Sequence, residues 1–496
     1  MSATHEWLSA VRKWDVQEIV CPGFAAGNSF SAYTIRALFT SGGETVEVPG
    51  FYDGDGRYIV RFMPSVEGRY SYRVWGSFSD EVFTGSFDVT APDAQVHGPV
   101  HVSDTYHFTY ADGTRFYPVG TTCYVWHLQT PEIFERTLQT LAASAFNKIR
   151  FCVFPKHYDY NHNEPFAYPF EATSQGWDVS RPNPVYFRHL EEAILRLGRL
   201  GVEADIIVLH PYDRWGFSRM TREQDQEYLQ YLARRISAYR NVWWSLANEY
   251  DLMPLKTADD WEACAATLQA NDPYHRLMSI HNCKPFYDHS RPWITHCSIQ
   301  RQELHRTAEL VDVWRERYQK PIVMDEMGYE GDIQHGWGNL TAEELTRRFW
   351  EATVRGGYGG HGETYLNEQE ILWWSHGDVL HGESPTRLAF LRGFLEELPG
   401  PLTPIRASWD EMAAAVEGNE DEAAPCYLYY YSFMRPSFRD FRVPEGTAYH
   451  VEVIDTWNMT RTYCGICEGA FRVTMPAKCY MAVYMKRLDQ STANKK

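Results

Sequence analysis

Eight short apolar segments recur between about residues 101 and 400, and amphipathic helical patterns separate most of them. This alternation limits the fold of the chain more than any other feature. Strand and helix patterns that alternate over about 300 residues predict a (β/α)8 TIM barrel. The segments are FYPVGTTC (116–123), FNKIRFCV (146–153), EADIIVLH (203–210), VWWSLANE (242–249), LMSIHN (277–282), ITHCSIQ (294–300), PIVMDE (321–326) and GGHGETYL (359–366).

The intervening helical patterns carry their own start signals. Thr130-Pro131 predicts the beginning of one helix, and Thr341 with Glu344 predicts a capping box for another. The segment CKPFYDHSRPW (283–293) is too short and contains too much proline for a full helix. We therefore expect the barrel to lack one helix after its fifth strand.

The sequence on either side of the barrel has a different pattern. Residues 1–95 alternate apolar and polar side chains between Gly-containing turns, as in EGRYSYRVWGSF, which is typical of a β-sandwich. After residue 400 strand-like segments return, and they predict a second, smaller β-sandwich. The predicted domains are therefore 1–95, 96–400 and 401–496. Three roles stay open for the sandwiches: carbohydrate binding, a wall of the cleft, or homo-oligomerisation.

Composition excludes several functions. The net charge of −18 disfavours binding to nucleic acid or to an anionic membrane. No apolar run is long enough to span a membrane, and the N-terminus shows no signal-peptide pattern. The ten cysteines lack a framework spacing, so we expect reduced thiols and a cytoplasmic location. The aromatic content of 15% suits either a sugar-binding cleft or aromatic pairs between strands.

Each of the eight apolar segments ends in polar residues. The carboxyl ends of barrel strands form the functional face of this fold, whereas a purely structural barrel does not need polar residues at every end. In strand order the polar residues are Tyr124 and Trp126; Arg150 and the loop PKHYDYNHNEPF; His210, Tyr212 and Asp213; Asn248 and Glu249; His281 and Asn282; Gln300; Asp325 and Glu326; and His361, Glu363 and Tyr365.

Glu249 and Glu326 lie on the fourth and seventh strands, at opposite sides of this face. Glycoside hydrolysis uses two carboxyl groups, of which one protonates the leaving oxygen and the other attacks or activates water. Because side chains alternate along a strand, we expect only one of Asp325 and Glu326 to point into the barrel. Arg150 either keeps the nucleophile ionised or pairs with structural carboxylates in the barrel floor.

The pattern resembles the clan of retaining (β/α)8-barrel glycoside hydrolases that includes the family-5 cellulases. The resemblance implies that Glu249 is the acid/base, that Asn248 bonds the sugar 2-hydroxyl, and that Glu326, rather than Asp325, is the nucleophile. It also implies that Arg150 is the arginine that the clan carries on its second strand. A tryptophan after the eighth strand would floor the sugar subsite, and the ILWWSHGD segment offers Trp373 or Trp374.

The arrangement of sandwich, barrel and sandwich is similar to apiosidase-like members of that clan. The GHGETYL segment departs from the clan pattern, because it adds a third glutamate, Glu363, and places the tryptophan pair later. Glu363 either binds a sugar hydroxyl, which would favour an exo-acting enzyme, or pairs with Arg150. His210 and His281 bind sugar, orient a carboxylate, or are ordinary core histidines. Trp126 is a further candidate for sugar binding.

Other chemistries have less support. His157, His162 and Glu164 lie in one loop, but their spacing matches no metal motif, so we expect them to line a sugar pocket. The sequence contains neither GxGxxG nor GxxxxGK[ST], so no nucleotide cofactor is expected. We predict an exo-acting, retaining hydrolase of a small oligosaccharide or glycoside, without metal or cofactor. The alternatives are a carbohydrate-binding protein that has lost turnover and a transglycosylase.

Overall fold

Two sheets pack face to face in the N-terminal region. The computed structural model describes residues 10–174, 176–301, 303–368, 371–417 and 423–488. The elements of this region are β1 (Ala10–Arg12), β2 (Gln17–Pro22), α1 (Ser29–Ala32), β3 (Arg36–Ser41), β4 (Glu44–Pro49), β5 (Phe51–Tyr52), β6 (Arg57–Phe62), β7 (Gly68–Trp75) and β8 (Phe83–Thr90). One sheet has the order β1-β8-β7-β3-β4 and the other β2-β6-β5. Phe39 and Phe62 stack between the sheets at 4.1 Å, which confirms the predicted sandwich.

A small three-stranded sheet connects this sandwich to the barrel. Its strands are β9 (Val100–Ser103), β10 (His107–Tyr110) and β11 (Arg115–Phe116), in the order β11-β10-β9. The ring of Phe108 lies 5.2 Å from that of Trp243, whose residue is near the start of a barrel strand. The connector therefore packs against the amino-terminal end of the barrel, opposite the functional face.

Eight parallel strands form the barrel, as predicted. Chain order gives β12 (Val119–Thr122), β13 (Lys148–Cys152), β14 (Phe170–Thr173), β15 (Gly176–Pro182), β16 (Glu203–Ile207), β17 (Val242–Ser245), β18 (Met278–Ser279), β19 (Cys297–Gln300), β20 (Ile322–Glu326), β21 (Glu330–Gly331), β22 (Tyr358–His361) and β23 (Glu363–Thr364). The barrel has the order β18-β17-β16-β13-β12-β22-β20-β19. The hairpin β14-β15 and the pair β21-β23 lie outside it.

The barrel closes between β18 and β19, the two ends of the hydrogen-bonded sheet, through one backbone bond from Thr295 N–H to the Met278 carbonyl at 2.9 Å and through side-chain bonds. The Asn282 amide donates to the Gln300 carbonyl at 3.1 Å, and its oxygen accepts from the Gln300 backbone N–H at 3.2 Å. An asparagine side chain thus provides the donor and acceptor that a longer fifth strand would have supplied.

Helices surround the barrel, and all but the shortest of them cover its outer face. They are α2 (Pro131–Ala143), α3 (Pro184–Arg199), α4 (Arg222–Ile236), α5 (Ala258–Asn271), α6 (Val311–Tyr318), α7 (Ala342–Val354), α8 (Trp373–His376) and α9 (Ser384–Glu397). Residues 280–296, between β18 and β19, contain no helix, as predicted. Thr130 caps α2 with Pro131 at its first position, which also follows the prediction.

Only half of the predicted capping box forms at α7. The Thr341 hydroxyl accepts from the Glu344 backbone N–H at 3.2 Å. The Glu344 carboxylate instead binds Arg347 at 2.7 Å and Arg348 at 2.7 Å. A carboxylate gains more from two charge-assisted bonds than from one backbone donor, so it turns away from the helix start.

The C-terminal region is a second β-rich unit. Its strands are β24 (Leu402–Ile405), β25 (Met412–Val416), β26 (Cys426–Tyr430), β27 (Phe438–Arg442), β28 (Ala448–Asp455), β29 (Thr460–Glu468), β30 (Ala470–Thr474) and β31 (Met481–Arg487). Six form a sheet of order β24-β25-β26-β31-β28-β29, and β27 pairs with β30. Tyr429 and Phe441 pack between the sheets at 4.9 Å. Within the described ranges, no helix is long and apolar enough to cross a bilayer.

Both flanking regions pack against barrel helices. On the N-terminal side Arg61 and Arg235 both bind the carboxylate of Glu191, and Arg235 also binds Asp53 at 2.8 Å. On the C-terminal side the rings of Trp350 and Tyr430 lie 5.9 Å apart. These contacts lie on the outer faces of α3, α4 and α7, so they leave the carboxyl ends of the barrel strands open.

Candidate active site

A cavity of about 240 Å³ opens at the carboxyl ends of the barrel strands. Its wall contains two glutamates from opposite strands, two cations and an unusual number of aromatic rings. The side chains and backbone that line it belong to Tyr124, Lys156, Tyr158, Tyr212, Glu249, Leu252, Cys283, Gln300, Arg301, Glu326, Gly328, Tyr329, Trp337 and Trp374.

Glu326 is the last residue of β20 and contacts three donors. Its Oε1 accepts a hydrogen bond from the Tyr124 hydroxyl, lies 2.8 Å from Arg150 Nη1, and lies 3.5 Å from His281 Nε2. Burial by itself would raise the pKa of Glu326. The charge and bond of His281, together with Arg150 and Tyr124, outweigh this effect and lower the pKa to about 2. Glu326 is therefore ionised at neutral pH.

Asp325 also points into the barrel, so the expectation that only one of the two acids does so is wrong. Its carboxylate lies 2.8 Å from Lys148 Nζ and accepts from the Ser298 hydroxyl at 2.5 Å. The pairing of β19 with β20 shifts register between Ser298 and Gln300. This irregularity interrupts the alternation and lets Glu326 reach the cavity while Asp325 stays in the layer below.

His281 connects these two layers. Its Nδ1 lies 2.9 Å from the Ser298 hydroxyl, which in turn donates to Asp325. Because the hydroxyl donates to the carboxylate, its oxygen accepts the Nδ1–H of His281. The other ring nitrogen lies 3.2 Å from Gln300 Oε1 and 3.5 Å from Glu326 Oε1. The buried layer therefore fixes the orientation of the imidazole beside Glu326.

Glu249 follows β17 and, unlike Glu326, is hydrogen-bonded by neutral groups. Its Oε2 accepts from the Tyr212 hydroxyl and from the Asn248 amide at 3.3 Å. Its backbone is left-handed, with φ of 51°, an uncommon conformation for a residue other than glycine. Burial raises the pKa of Glu249, and the negative charge of Glu326 raises it further. A carboxyl group held in this way is a suitable proton donor.

Tyr124 connects the two halves of the site. Its hydroxyl contacts Glu326 Oε1 and lies 3.4 Å from Asn248 Oδ1. The Tyr124 hydroxyl thus contacts both the carboxylate of Glu326 and Asn248, the residue before Glu249. Tyr124 lies two residues after the end of β12, and its ring packs edge-on against Trp374 at 5.4 Å. The strand order of the barrel is what brings residues 124, 248 and 326 together.

Arg150 lies beneath Glu326 and not in a separate floor network. The network in the barrel floor is formed by Lys148, Asp205 and Asp325. Lys148 Nζ lies 2.5 Å from the Asp205 carboxylate and 2.8 Å from the Asp325 carboxylate. Arg150 is buried with Glu326 as its ion-pair partner among the described residues. Of the two sequence interpretations, the structure therefore places Arg150 beside the predicted nucleophile.

Trp374 lines the cavity, whereas Trp373 does not. The ring of Trp374 packs against Trp337 at 5.0 Å and forms part of the wall. Trp373 donates its indole N–H to Thr121 Oγ1 at 2.8 Å, within the barrel. Sequence alone left both tryptophans as candidates, and the short helix α8 directs them to opposite sides.

Four further candidates lie away from the cavity. Trp126 is buried and stacks on Phe134 at 5.0 Å. His210 is buried with its Nε2 3.3 Å from the Phe154 carbonyl, as in an ordinary core histidine. His157 lies in the loop after β13, where it contacts His162. None of the three lines the cavity.

Glu363, the fourth, binds the backbone of another loop. Its carboxylate accepts from the N–H groups of His381 and Gly382. Glu363 therefore neither pairs with Arg150 nor lines the cavity, contrary to both sequence interpretations. Burial raises its pKa to about 7. The reason is topological, because β23 turns away from the barrel to pair with β21.

One group of buried side chains has metal-binding residue types. Among the described residues, ligand atoms of Glu330, His361 and Glu363 lie within 4.8 Å of one another. Glu330 already accepts from the backbone N–H of Glu383 at 2.8 Å and of Ser384 at 3.0 Å, and Glu363 is bound as described above. Hydrogen bonds from backbone N–H groups therefore already satisfy both carboxylates. The absence of a bound metal stays a prediction.

Several residues of the cavity wall are not among the candidates predicted from the sequence. Lys156, Tyr158, Tyr329 and Trp337 come from loops after the strands, where no periodic pattern indicates which side chains converge. The available signals were the high aromatic content of the chain and, for Lys156 and Tyr158, their place in the loop PKHYDYNHNEPF. The loop after β13 contributes Lys156 and Tyr158 to the cavity wall, whereas His157, between them, lies outside the wall.

Models of three families match this chain. The model described as "Apiosidase-like, catalytic domain" matches residues 103–415, which is more than half of the sequence. Two domains of unknown function match the flanking regions: DUF5060 at residues 10–76 and DUF5605 at residues 409–486. None of the curated proteins matches the sequence significantly.

Solved structures include a relative over the full length. A protein of Bacteroides vulgatus ATCC 8482, with a provisional description as a glycoside hydrolase, is 35% identical with a TM-score of 0.91. The alignment covers 97% of this chain and 100% of that protein. A family 5 glycoside hydrolase from the same organism is 16% identical with a TM-score of 0.63, covering 80% and 93% of the two chains. At that identity the similarity concerns the fold alone.

Proposed function

The chain belongs to the apiosidase-like family of glycoside hydrolases, and from this premise we propose that it cleaves a glycosidic bond with retention of configuration. One observation carries the proposal. Glu249 and Glu326 face one cavity, but their surroundings shift the two pKa values in opposite directions. One carboxyl group suited to donate a proton and one suited to act as an anion are the pair that this reaction requires.

In the first step, Glu326 attacks the anomeric carbon and forms a covalent glycosyl-enzyme. The bond to the leaving oxygen breaks as protonated Glu249 transfers its proton to that oxygen. In the second step, Glu249, now a carboxylate, removes a proton from water, which attacks the anomeric carbon and releases Glu326. The Tyr124 hydroxyl and Arg150 hold Glu326 in position through both steps.

The small volume of the cavity supports exo action. Pockets for drug-sized ligands have about 300–1,000 Å³, and this cavity has about 240 Å³. A space of this size suits one terminal sugar unit, with the rest of the substrate outside. Trp374, Trp337 and Tyr158 offer apolar ring faces on which a sugar can pack.

The direct test begins with a screen of aryl glycosides, both pyranosides and furanosides, against the wild type. Proton NMR of the first product then shows whether the released anomer keeps its configuration. A 2-fluoro glycoside of the preferred sugar should label Glu326, as mapped by peptide mass spectrometry. A label on another carboxylate, or an inverted first product, contradicts the mechanism.

Isosteric variants separate the two roles. Glu326→Gln should lose turnover on every substrate. Glu249→Gln should keep the first step on substrates whose leaving group needs no proton, and azide should restore its turnover by attacking the glycosyl-enzyme. Exposed Glu67→Gln, in the N-terminal region, is the matched control. Sugar binding without turnover by the wild type would favour a carbohydrate-binding protein, and preferential transfer to sugars over water would indicate a transglycosylase.

A further inference from the structure

Lys156 is a buried cation within the catalytic cavity. Its side chain is enclosed by four aromatic rings, and its Nζ lies 3.5 Å from the ring centre of Tyr124, 4.3 Å from Trp374, 4.4 Å from Tyr212 and 5.4 Å from Tyr158. The residue is only 2% exposed, and it belongs to the cavity wall. Ring faces attract an ammonium group, but they satisfy none of its three N–H donors as an oxygen acceptor would.

The other cations at the cavity have carboxylate partners. Arg150 lies 2.8 Å from Glu326, and Arg301 lies 2.7 Å from Glu303. The Lys156 ammonium donates no hydrogen bond to, and forms no ion pair with, any residue that the structure describes; the carboxylates of Glu249 and Glu326 act on it only from beyond ion-pair distance. Buried charges in proteins are normally paired, because removal from water costs several kcal/mol per ion when nothing compensates it. Among the described residues, Lys156 thus lacks an anionic partner in direct contact with its ammonium group.

We propose that the sugar in this cavity carries an anionic oxygen group, and that Lys156 binds this group and determines specificity for it. The inference rests on the proposed function, since it names the substrate class of the same site. A uronic acid carboxylate and a sulfate ester share the required chemistry: each offers charged oxygens for short, charge-assisted bonds. Neutral hydroxyl groups would leave the charge of Lys156 uncompensated.

Electrostatics makes such a cation necessary for an anionic substrate. The chain carries a net charge of −18, and ionised Glu326 lies in the same wall. Both repel an incoming anion. Burial lowers the pKa of Lys156 to about 8, so the group stays mostly charged at neutral pH, and an anion bound beside it would raise the pKa again.

The experiment measures kcat/KM for matched pairs of aryl glycosides that differ only in the anionic group. Glucuronides are paired with glucosides and galacturonides with galactosides, in both anomers, and 6-sulfated glycosides are paired with their parents. The wild type should prefer one anionic member by roughly tenfold to a hundredfold, the range of a hydrogen bond to a charged group. The pair that shows the preference distinguishes carboxylate from sulfate.

Two variants assign the preference to Lys156. Lys156→Met should bring the ratio of anionic to neutral kcat/KM close to one, and Lys156→Arg should retain part of the preference. Exposed Lys478→Met is the matched control and should keep the wild-type ratio. Circular dichroism verifies that the variants are folded. A wild type without anionic preference, or a Lys156→Met variant that retains it, overturns the proposal.

A binding measurement keeps this test independent of turnover. Calorimetry compares glucuronate, galacturonate and the 6-sulfated sugars with glucose and galactose, using the wild type and Lys156→Met. If the wild type binds an anionic sugar and Lys156→Met does not, the proposal for Lys156 is supported, even if no glycoside is cleaved. Absence of cleavage would count against the proposed hydrolase mechanism and not against the role of Lys156. Equal affinity for anionic and neutral sugars overturns it.

Discussion

Tyr124 donates its hydroxyl hydrogen bond to Glu326, although 202 positions separate the two residues along the chain. The contact joins the end of the first barrel strand to the end of the seventh. The same hydroxyl lies 3.4 Å from Asn248, next to Glu249. The Tyr124 hydroxyl therefore orients Glu326, the proposed nucleophile. It also links Glu326 to the side of the cavity that carries Glu249, the proposed proton donor.

Removal of this hydroxyl should slow the reaction. In Tyr124→Phe, Glu326 loses a charge-assisted bond, so we expect kcat/KM to fall by roughly tenfold to a hundredfold. The pKa of Glu326 should rise, because that bond lowers it in the wild type. Steady-state kinetics over pH checks both effects. An unchanged acidic limb in the pH profile would show that the hydroxyl does not act on Glu326.

The pH profile of kcat/KM should be bell-shaped. Glu326 acts as an anion with a pKa lowered to about 2, so activity is lost only as pH falls through that value. Glu249 acts as an acid with a raised pKa, so activity is lost as pH rises through it. Because the two groups interact, the limbs report apparent values of the pair. Glu249→Gln, assayed with a good leaving group, should lack the basic limb; a persistent limb at the same pH would assign it to another residue.

The two adjacent tryptophans should respond differently to substitution. Trp374→Phe removes part of the cavity wall, so kcat/KM should fall by about twofold to tenfold, as expected for an aromatic contact. Trp373→Phe removes the indole N–H that Thr121 accepts, so it should lower the melting temperature. Kinetics and thermal unfolding of both variants are the measurement. A larger kinetic effect in Trp373→Phe would contradict the structural assignment.

Lys148 should be essential for stability and not for substrate recognition. Lys148→Met leaves Asp205 and Asp325 as adjacent buried acids without their cation, and breaking such a pair costs about 3–5 kcal/mol. Urea unfolding at neutral pH measures the loss of stability. Lys478→Met, on the surface, should change stability by less than about 0.5 kcal/mol. Equal unfolding curves for the two variants would show that the buried network contributes little.

Local sequence pattern was sufficient to predict the barrel and the strands that carry Glu249 and Glu326. Period-2 and helical spacings are local properties, so they indicate the elements and their order without tertiary information. The missing helix after the fifth strand and the sandwich at each end followed from the same kind of pattern. The proline-containing segment at 283–293, for example, cannot form a full helix in any fold.

The tertiary structure decided which side chains meet. A register shift beside β20 brings both Asp325 and Glu326 into the barrel, which simple alternation cannot predict. The pairing of β21 with β23 directs Glu363 to a loop backbone, and the loop after β13 places Lys156 among four rings. Strand pattern depends on neighbours in sequence, whereas these contacts depend on loop paths and register. By itself the sequence therefore determined the barrel and the strands of its two candidate acids, and only the folded chain determined the partners of those acids and the unpaired cation beside them.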